Sequence, residues 1–384
     1  MQAVQSVFFD KTLLRDTLAI APIIAELKVA IAKELIPKVT DIDLKGEYPQ
    51  NFMHQIGALG SFGQAVPTEW GGSGNGVKAA IQVIEEISKE CLCTGFITWC
   101  QIACSWYLQN SDNEYLQQCV LPQVATGKVL AGTGLSNPMK HFAGIEKIAL
   151  VAERSSGGYV INGMLPWVSN VGSGHYFAIA AKIANQDEYL MAIVSDGLTG
   201  LCLRCNAHFI SLEGSNTFSC IFRNVFVPDV FILAAPCEDY VTHIRPGFIL
   251  TQVGMGLGLV TSCVELMKRA NQKLAHVNYF LEDKVENIES DLEALRLQTY
   301  MLADEMKRQQ LRLPHNFIKE VIQARIEASE LSLRAASAAM LHAGARGYVH
   351  GSTVERKLRE SYFIAIVTPA LKHLKKMLYE IKDV

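Results

Sequence analysis

Apolar positions recur at two different spacings along the chain, and the spacing changes twice. Over residues 10–36, Leu13, Leu14, Leu18, Ile23, Ile24, Leu27 and Ile31 fall at near-helical intervals, with Pro37 expected to close the stretch. A short helix is predicted over 52–59, ended by Gly60, and two apolar helices over 77–89 and 94–109. A third, over 112–126, has Asp112 as its expected cap. From about Val129 the pattern becomes short β-branched and aromatic runs separated by Gly, Asn and Asp. These runs are 148–152, 159–161, 176–181, 190–194, 201–203 and 218–227. Such spacing predicts a compact β domain, barrel or sandwich, and Asn162-Gly163 predicts a tight hairpin turn within it. Pro228 and Pro236 mark its exit. Helical spacing returns from about Gly247. Leu292, Leu295, Leu302 and Met306 form one stripe, and Ile318, Ile322 and Ile326 another, which predicts antiparallel helices packed as a bundle. The order defines an α+β chain with three parts: 1–128 helical, 129–236 β, and 237–384 a helical bundle.

Composition narrows the function classes. The chain has 384 residues, 49% hydrophobic and 19% charged, with net charge −3. That balance gives no electrostatic reason to expect nucleic acid or an anionic membrane surface. The longest uncharged run, 248–264, contains Thr251, Gln252, Thr261, Ser262 and several glycines, and reads as a buried core helix rather than a membrane span. Ten cysteines are scattered; Cys91 and Cys93 lie close together, and no set of four Cys or His at zinc-site spacing is present in the sequence, so no metal site is expected. With no secretory pattern at the start of the sequence, they read as reduced thiols in a cytoplasmic protein. The basic runs at 356–359 and 372–376 read as solvated helix faces.

One stretch carries candidate chemistry. Residues 158–174 place Trp167 beside Ser169 and Asn170, a large flat ring next to small polar side chains. That is a suitable wall for a planar ligand.

Five segments in order then resemble the acyl-CoA dehydrogenase superfamily. Val66-Pro67-Thr68-Glu69-Trp70-Gly71-Gly72 resembles its Val-Pro-x-x-x-Gly-Gly loop. Gly134-Leu135-Ser136-Asn137-Pro138 sits where the family has a Thr-Glu-Pro segment. Gly158 to Asn170 is similar to its Asn-Gly-x-Lys-x-Trp-Ile-Thr-Asn signature, and Asn224-Val225-Phe226-Val227-Pro228 to its Asn-Val-x-Val-Pro strand. Gly344-Ala345-Arg346-Gly347-Tyr348, with Arg359-Glu360 after it, resembles the Gly-Gly-x-Gly-Tyr…Arg-Asp stretch. The resemblance implies a helical domain, a β-barrel domain and a four-helix bundle. It implies FAD between barrel and bundle, an acyl thioester substrate carried by coenzyme A or a carrier protein, and a homodimer or homotetramer. An electron-transfer or reductase partner is also implied. Leu135 and Ser136 would line the flavin pyrimidine edge, and Trp167 and Ser169 would pack near its reactive nitrogen.

The resemblance fails at the proton. Removing a proton α to a thioester carbonyl calls for a positioned base. Where most members carry that Glu, this sequence has Thr368, and the other known location, near the start of the first bundle helix, offers only Thr251 and Gln252. Glu360 reads as a structural ion pair, and His342, His350 and His373 as surface or structural histidines. The family's Arg-x-x-Phe-Gly phosphate contact is replaced by 275–281, leaving Lys273 and Lys284 as nearby cations. Two further readings stay open: a two-component flavin-dependent monooxygenase on the same fold, argued against by Val367 where such enzymes carry His, and a catalytically degenerate binding subunit.

Overall fold

The structure, a computed structural model, describes residues 11–205, 207–308 and 316–381, with side chains described from Ile20 onward. The predicted stripe therefore has Leu13, Leu14 and Leu18 outside the described side chains, while Leu27 and Ile31 are buried. Helix α1 (Lys11–Ala30) does not stop at Pro37. It runs through a π turn (Ile31–Leu35) and a 3-10 turn (Ile36–Lys38) into α2 (Val39–Leu44). Pro37 sits in the first turn of the 3-10 element, where its missing N–H breaks no helical bond. Helix α3 (Gln50–Ala58) ends as predicted at Gly60, which adopts φ +84°. Helices α4 (Val77–Glu90) and α5 (Leu92–Gln109) form the heart of the first part, α5 being buried along nearly its whole length. Before α6 (Leu121–Ala125), Asn113 rather than Asp112 serves the expected capping role, its Oδ1 accepting the Leu116 N–H at 3.3 Å.

The middle part is one eight-stranded mixed sheet. Its elements are β1 (Ala131–Thr133), α7 (Ser136–Phe142), β2 (Leu150–Ser155), β3 (Gly158–Val168), β4 (Tyr176–Ile183), β5 (Tyr189–Ser195), β6 (Leu201–Arg204), β7 (Phe218–Pro228) and β8 (Ile232–Ala234). Strand order is β6-β7-β3-β2-β4-β5-β8, with β1 beside β4. The sheet curls around one apolar core that includes Leu150, Ile161, Phe177 and Phe222.

Asn162-Gly163 is not the hairpin turn. Ser155 pairs with Gly158, so the chain reverses at Ser156-Gly157, and β3 continues straight through Asn162-Gly163. There the register against β7 shifts between Ile161 and Gly163, a β-bulge. The bulge explains the residues. Gly163 holds φ +131°, and a Cβ on it would lie 2.3 Å from the Ala149 carbonyl oxygen. Asn162 Oδ1 accepts the Asn224 N–H at 2.8 Å, satisfying backbone that the bulge frees from the ladder.

The last part is a bundle of α8 (Glu238–Asn278), α9 (Val285–Arg308), α10 (Phe317–Ala343) and α11 (Thr353–Ile366), with α12 (Leu371–Glu380) against α10. Leu292, Leu295, Leu302, Ile322 and Ile326 are buried on the predicted faces. Helix α8 is long and apolar enough to cross a membrane, yet 94% of its most apolar window is buried inside the protein, as expected of a core helix. It lies between α10 and α4, so the first part and the bundle share a continuous core.

The 356–359 run is not a solvated face. Lys357 is fully buried and Arg356 nearly so, both within 2.9 Å of the buried Glu360 carboxylate. Arg359 pairs instead with Asp43 and Glu355, each at 2.6 Å. The helical period places 356, 357 and 360 on the face toward α4 and α5. There Arg356 donates to the Glu90 carbonyl and Lys357 to that of Ser88.

Candidate active site

The three parts meet around a cavity of about 1030 Å³. Its apolar side is built from rings on three helices: Phe96 and Trp99 on α5, Phe248 on α8, Phe363 on α11. Phe96 stacks on Trp99 at 5.9 Å, Phe248 meets Trp99 edge-on at 5.1 Å, and Phe363 meets Phe96 edge-on at 4.6 Å. Buried Trp99 needs a partner for its N–H, and Thr251 Oγ1 accepts it at 3.0 Å.

The sheet supplies the opposite side. Trp167, near the end of β3, lines the cavity and is 53% exposed. Ser169, just beyond β3, hydrogen-bonds Thr217 at 2.8 Å, and Thr217 bonds Ser215 at 2.8 Å, giving a row of hydroxyls beside the indole. Asn170, expected to join that wall, is fully buried and turned away. It adopts φ 59°, its Nδ2 donates to the Ala131 carbonyl at 2.8 Å, and its Oδ1 accepts from Tyr48 at 2.6 Å. Its work is to fix the turn that presents Ser169.

Ser136, at the start of α7, reaches across to Thr368, their hydroxyls 2.8 Å apart. Both line the cavity. Leu135 is buried in the helical core and does not line it. The structure therefore gathers Ser136, Trp167, Ser169 and Thr368 around one space and leaves Leu135 behind it.

Groups able to take a proton are scarce there. Among the described residues, Glu146 is the only carboxylate on the lining, paired with Lys140 at 3.1 Å. Thr251 and Gln252 are both committed. Thr251 donates to the Gly247 carbonyl, and Gln252 donates to the Thr368 carbonyl at 2.9 Å while accepting from Arg325 Nε at 3.0 Å. His373 lines the cavity while keeping a structural role at the start of α12. Burial, then Lys372 and Lys140, push its ring below the usual histidine range, so it is neutral near pH 7. Its Nδ1 accepts the Ala370 N–H at 3.4 Å, so the neutral ring carries its proton on Nε2 and offers a donor. His342 is structural as expected, buried between Asn271 and the Asp283 carbonyl, and His350 is exposed on the surface. Glu360 lies in the ion cluster described above. Burial alone would raise its carboxyl, but Lys357 and Arg356 outweigh that and hold it below the usual range.

A flavin ring fits these residues: a flat, half-exposed indole and neutral hydroxyl donors suit a planar heterocycle with polar edges. Lys284 does not serve its phosphates, since it caps the end of α8 through the Tyr279 and Leu281 carbonyls, and Lys273 is exposed away from the cavity.

Two contributors escaped the sequence reading. The aromatic cluster is assembled from distant segments, which no local pattern links. Arg325 did carry a signal: it shares the α10 face of Ile318, Ile322 and Ser329, a charge inside an apolar stripe.

Comparison with known proteins agrees with the architecture. Residues 23–128 match the family model for the acyl-CoA dehydrogenase N-terminal domain, and 239–368 that for the acyl-CoA dehydrogenase C-terminal domain. The chain belongs to the acyl-CoA dehydrogenase superfamily and is an oxidoreductase of that type. It is 26% identical over 351 residues to "Probable acyl-CoA dehydrogenase YngJ" of Bacillus subtilis (strain 168), covering 87% of this chain and 90% of that one. A glutaryl-coenzyme A dehydrogenase in complex with glutaryl-CoA superposes with a TM-score of 0.85 at 20% identity, over 98% of this chain and 96% of that one. The prolyl acyl carrier protein oxidase AnaB gives 0.81 at 16% identity, over 96% and 99%. At such identities the two structures speak to the fold alone.

Proposed function

We propose that the protein is an FAD-dependent oxidoreductase that acts on an acyl thioester in the cavity between sheet and bundle, with Thr368 in the place of the usual base. The observation that carries this is the meeting of Trp167 and Ser169 on one side with the Ser136–Thr368 hydroxyl pair and the Phe96–Trp99–Phe248 rings on the other. When bound, FAD supplies a two-electron acceptor. Trp167 offers its ring a flat face, and Ser136 and Ser169 offer hydroxyls to its polar edge. The aromatic cluster excludes water from the acyl chain, and the Ser136–Thr368 pair keeps one O–H free to donate into the cavity.

A Thr hydroxyl is a donor at neutral pH and does not replace a carboxylate base. The chemistry therefore suits a substrate whose proton is unusually acidic or is carried off by the substrate itself. Names among the structural neighbours include both a CoA thioester complex and a carrier-protein oxidase, and the reading embraces both carriers. A homodimer or homotetramer belongs to the same reading: Tyr279, Phe280 and Tyr348 stand exposed in this single chain, and a second copy would cover them. An electron-transfer partner would take the electrons onward.

The test is the visible absorbance spectrum of purified protein with and without added FAD. Bound flavin is expected, with Trp167→Ala/Ser169→Ala weakening binding at least about tenfold through lost stacking and a lost donor. Unchanged affinity in the double variant would remove the assigned wall.

A further inference from the structure

Arg325 is fully buried in α10 with no carboxylate beside it among the described residues. Its Nε donates to Gln252 Oε1 at 3.0 Å, its Nη2 to the Ile364 carbonyl at 2.6 Å, and its Nη1 to Ser329 Oγ. All three acceptors are neutral. Burial lowers its ordinary value to about 10, so it remains charged at pH 7. A charge kept out of water calls for an opposite charge, and the described residues supply none here.

Its position gives that deficit a direction. Gln252, held by Arg325, donates to the Thr368 carbonyl, and Arg325 itself holds the Ile364 carbonyl. Between those two anchors, Ala365, Ile366, Val367 and Thr368 form part of the cavity lining. The guanidinium thus stands on the far side of the wall whose cavity face carries the Ser136–Thr368 hydroxyl pair.

The other charges facing the cavity do not cancel it. Glu146 is held by Lys140, Arg359 by Asp43 and Glu355, and Lys375 by Glu330, while Lys372 adds a further cation without a carboxylate among the described residues. Where the resemblance would place a negative side chain, this wall is neutral with a positive charge behind it. We infer that the Thr368 end of the cavity receives a carboxylate carried by the acyl group, with Arg325 as its counter-charge through the wall and the hydroxyl pair as its hydrogen-bond donor. The inference rests on the thioester reading above and names its substrate class: acyl thioesters bearing a second, free carboxylate. Arg325 acts through Gln252 and the wall, as a specificity-determining residue rather than a contact.

Calorimetric titration of the FAD-loaded protein with succinyl-CoA and butyryl-CoA, matched in chain length, tests it without relying on turnover. Succinyl-CoA is expected to bind at least about tenfold tighter, the size of effect a charge in a partly screened interior exerts over a few bond lengths. Arg325→Met should bring the ratio near one, and Arg325→Lys should restore the preference. Equal binding of the two thioesters, or a preference for butyryl-CoA, overturns the inference and leaves the thioester reading standing. Binding of neither overturns both. A preference that survives in Arg325→Met removes Arg325 from the account. Free succinate binding as tightly as succinyl-CoA shows that the anion comes from a free acid, and overturns the claim that the acyl group carries it. The wild-type ratio decides the matter even where a variant does not fold.

Discussion

Lys357 on α11 and Arg325 on α10 are both fully buried cations, and the chain treats them differently. Lys357 shares the Glu360 carboxylate with Arg356, and the cluster ties α11 to the end of α4 through the Ser88 and Glu90 carbonyls. Among the described residues Arg325 meets only neutral acceptors, behind the wall of the cavity. A buried charge balanced within the chain acts as scaffold. One left unbalanced beside a cavity points to what the cavity receives.

The contrast can be broken by removing each charge in turn. Glu360→Gln leaves two buried cations facing a neutral amide, and should cost about 3–5 kcal/mol in urea unfolding. Arg325→Met removes the charge together with its bonds to neutral acceptors, and should cost less, about 1–3 kcal/mol. Equal losses would erase the distinction between scaffold and site.

Acid sharpens the same comparison. The Glu360 carboxyl is held below the usual carboxylate range in the folded protein, so the unfolded chain takes up that proton first. Its contribution should be complete above the unfolded value, near about 4.3, and be lost as pH falls toward the lower folded value. Urea midpoints measured between pH 7 and pH 3 should fall more steeply in the wild type than in Glu360→Gln. Arg325 stays charged across that range and adds no slope.

The smallest effect on stability should come from the sheet side of the cavity. Trp167 is more than half exposed. Trp167→Ala should change unfolding by no more than about 0.5 kcal/mol, as for exposed substitutions generally, while FAD affinity falls. A large loss of stability would mean that the ring is packed as core rather than held for a ligand.

Much of this was legible in the sequence. The switch from helical to strand spacing and back matched the order of helices, sheet and helices, and the ordered segments pointed to Ser136, Trp167, Ser169 and Thr368, which the fold brings around one cavity. Local signals failed where tertiary context overrode them. Asn162-Gly163 carries hairpin chemistry, yet the pairing of Ser155 with Gly158 had already made the turn, and the glycine serves a bulge. Asn170 looked like ligand wall and is a buried brace. The 356–359 charges looked solvated because nothing local shows that α11 turns that face inward. Leu135 carried the family's position, but its side chain packs into the helical core.

The central claim is that this cavity joins a flavin to an acyl thioester. Its most direct test is an anaerobic titration of the FAD-loaded protein with succinyl-CoA and with butyryl-CoA, followed through the flavin's visible absorbance. The account predicts bound FAD whose absorbance bleaches with added succinyl-CoA. Protein that binds no FAD, or whose flavin spectrum neither thioester bleaches, would contradict it.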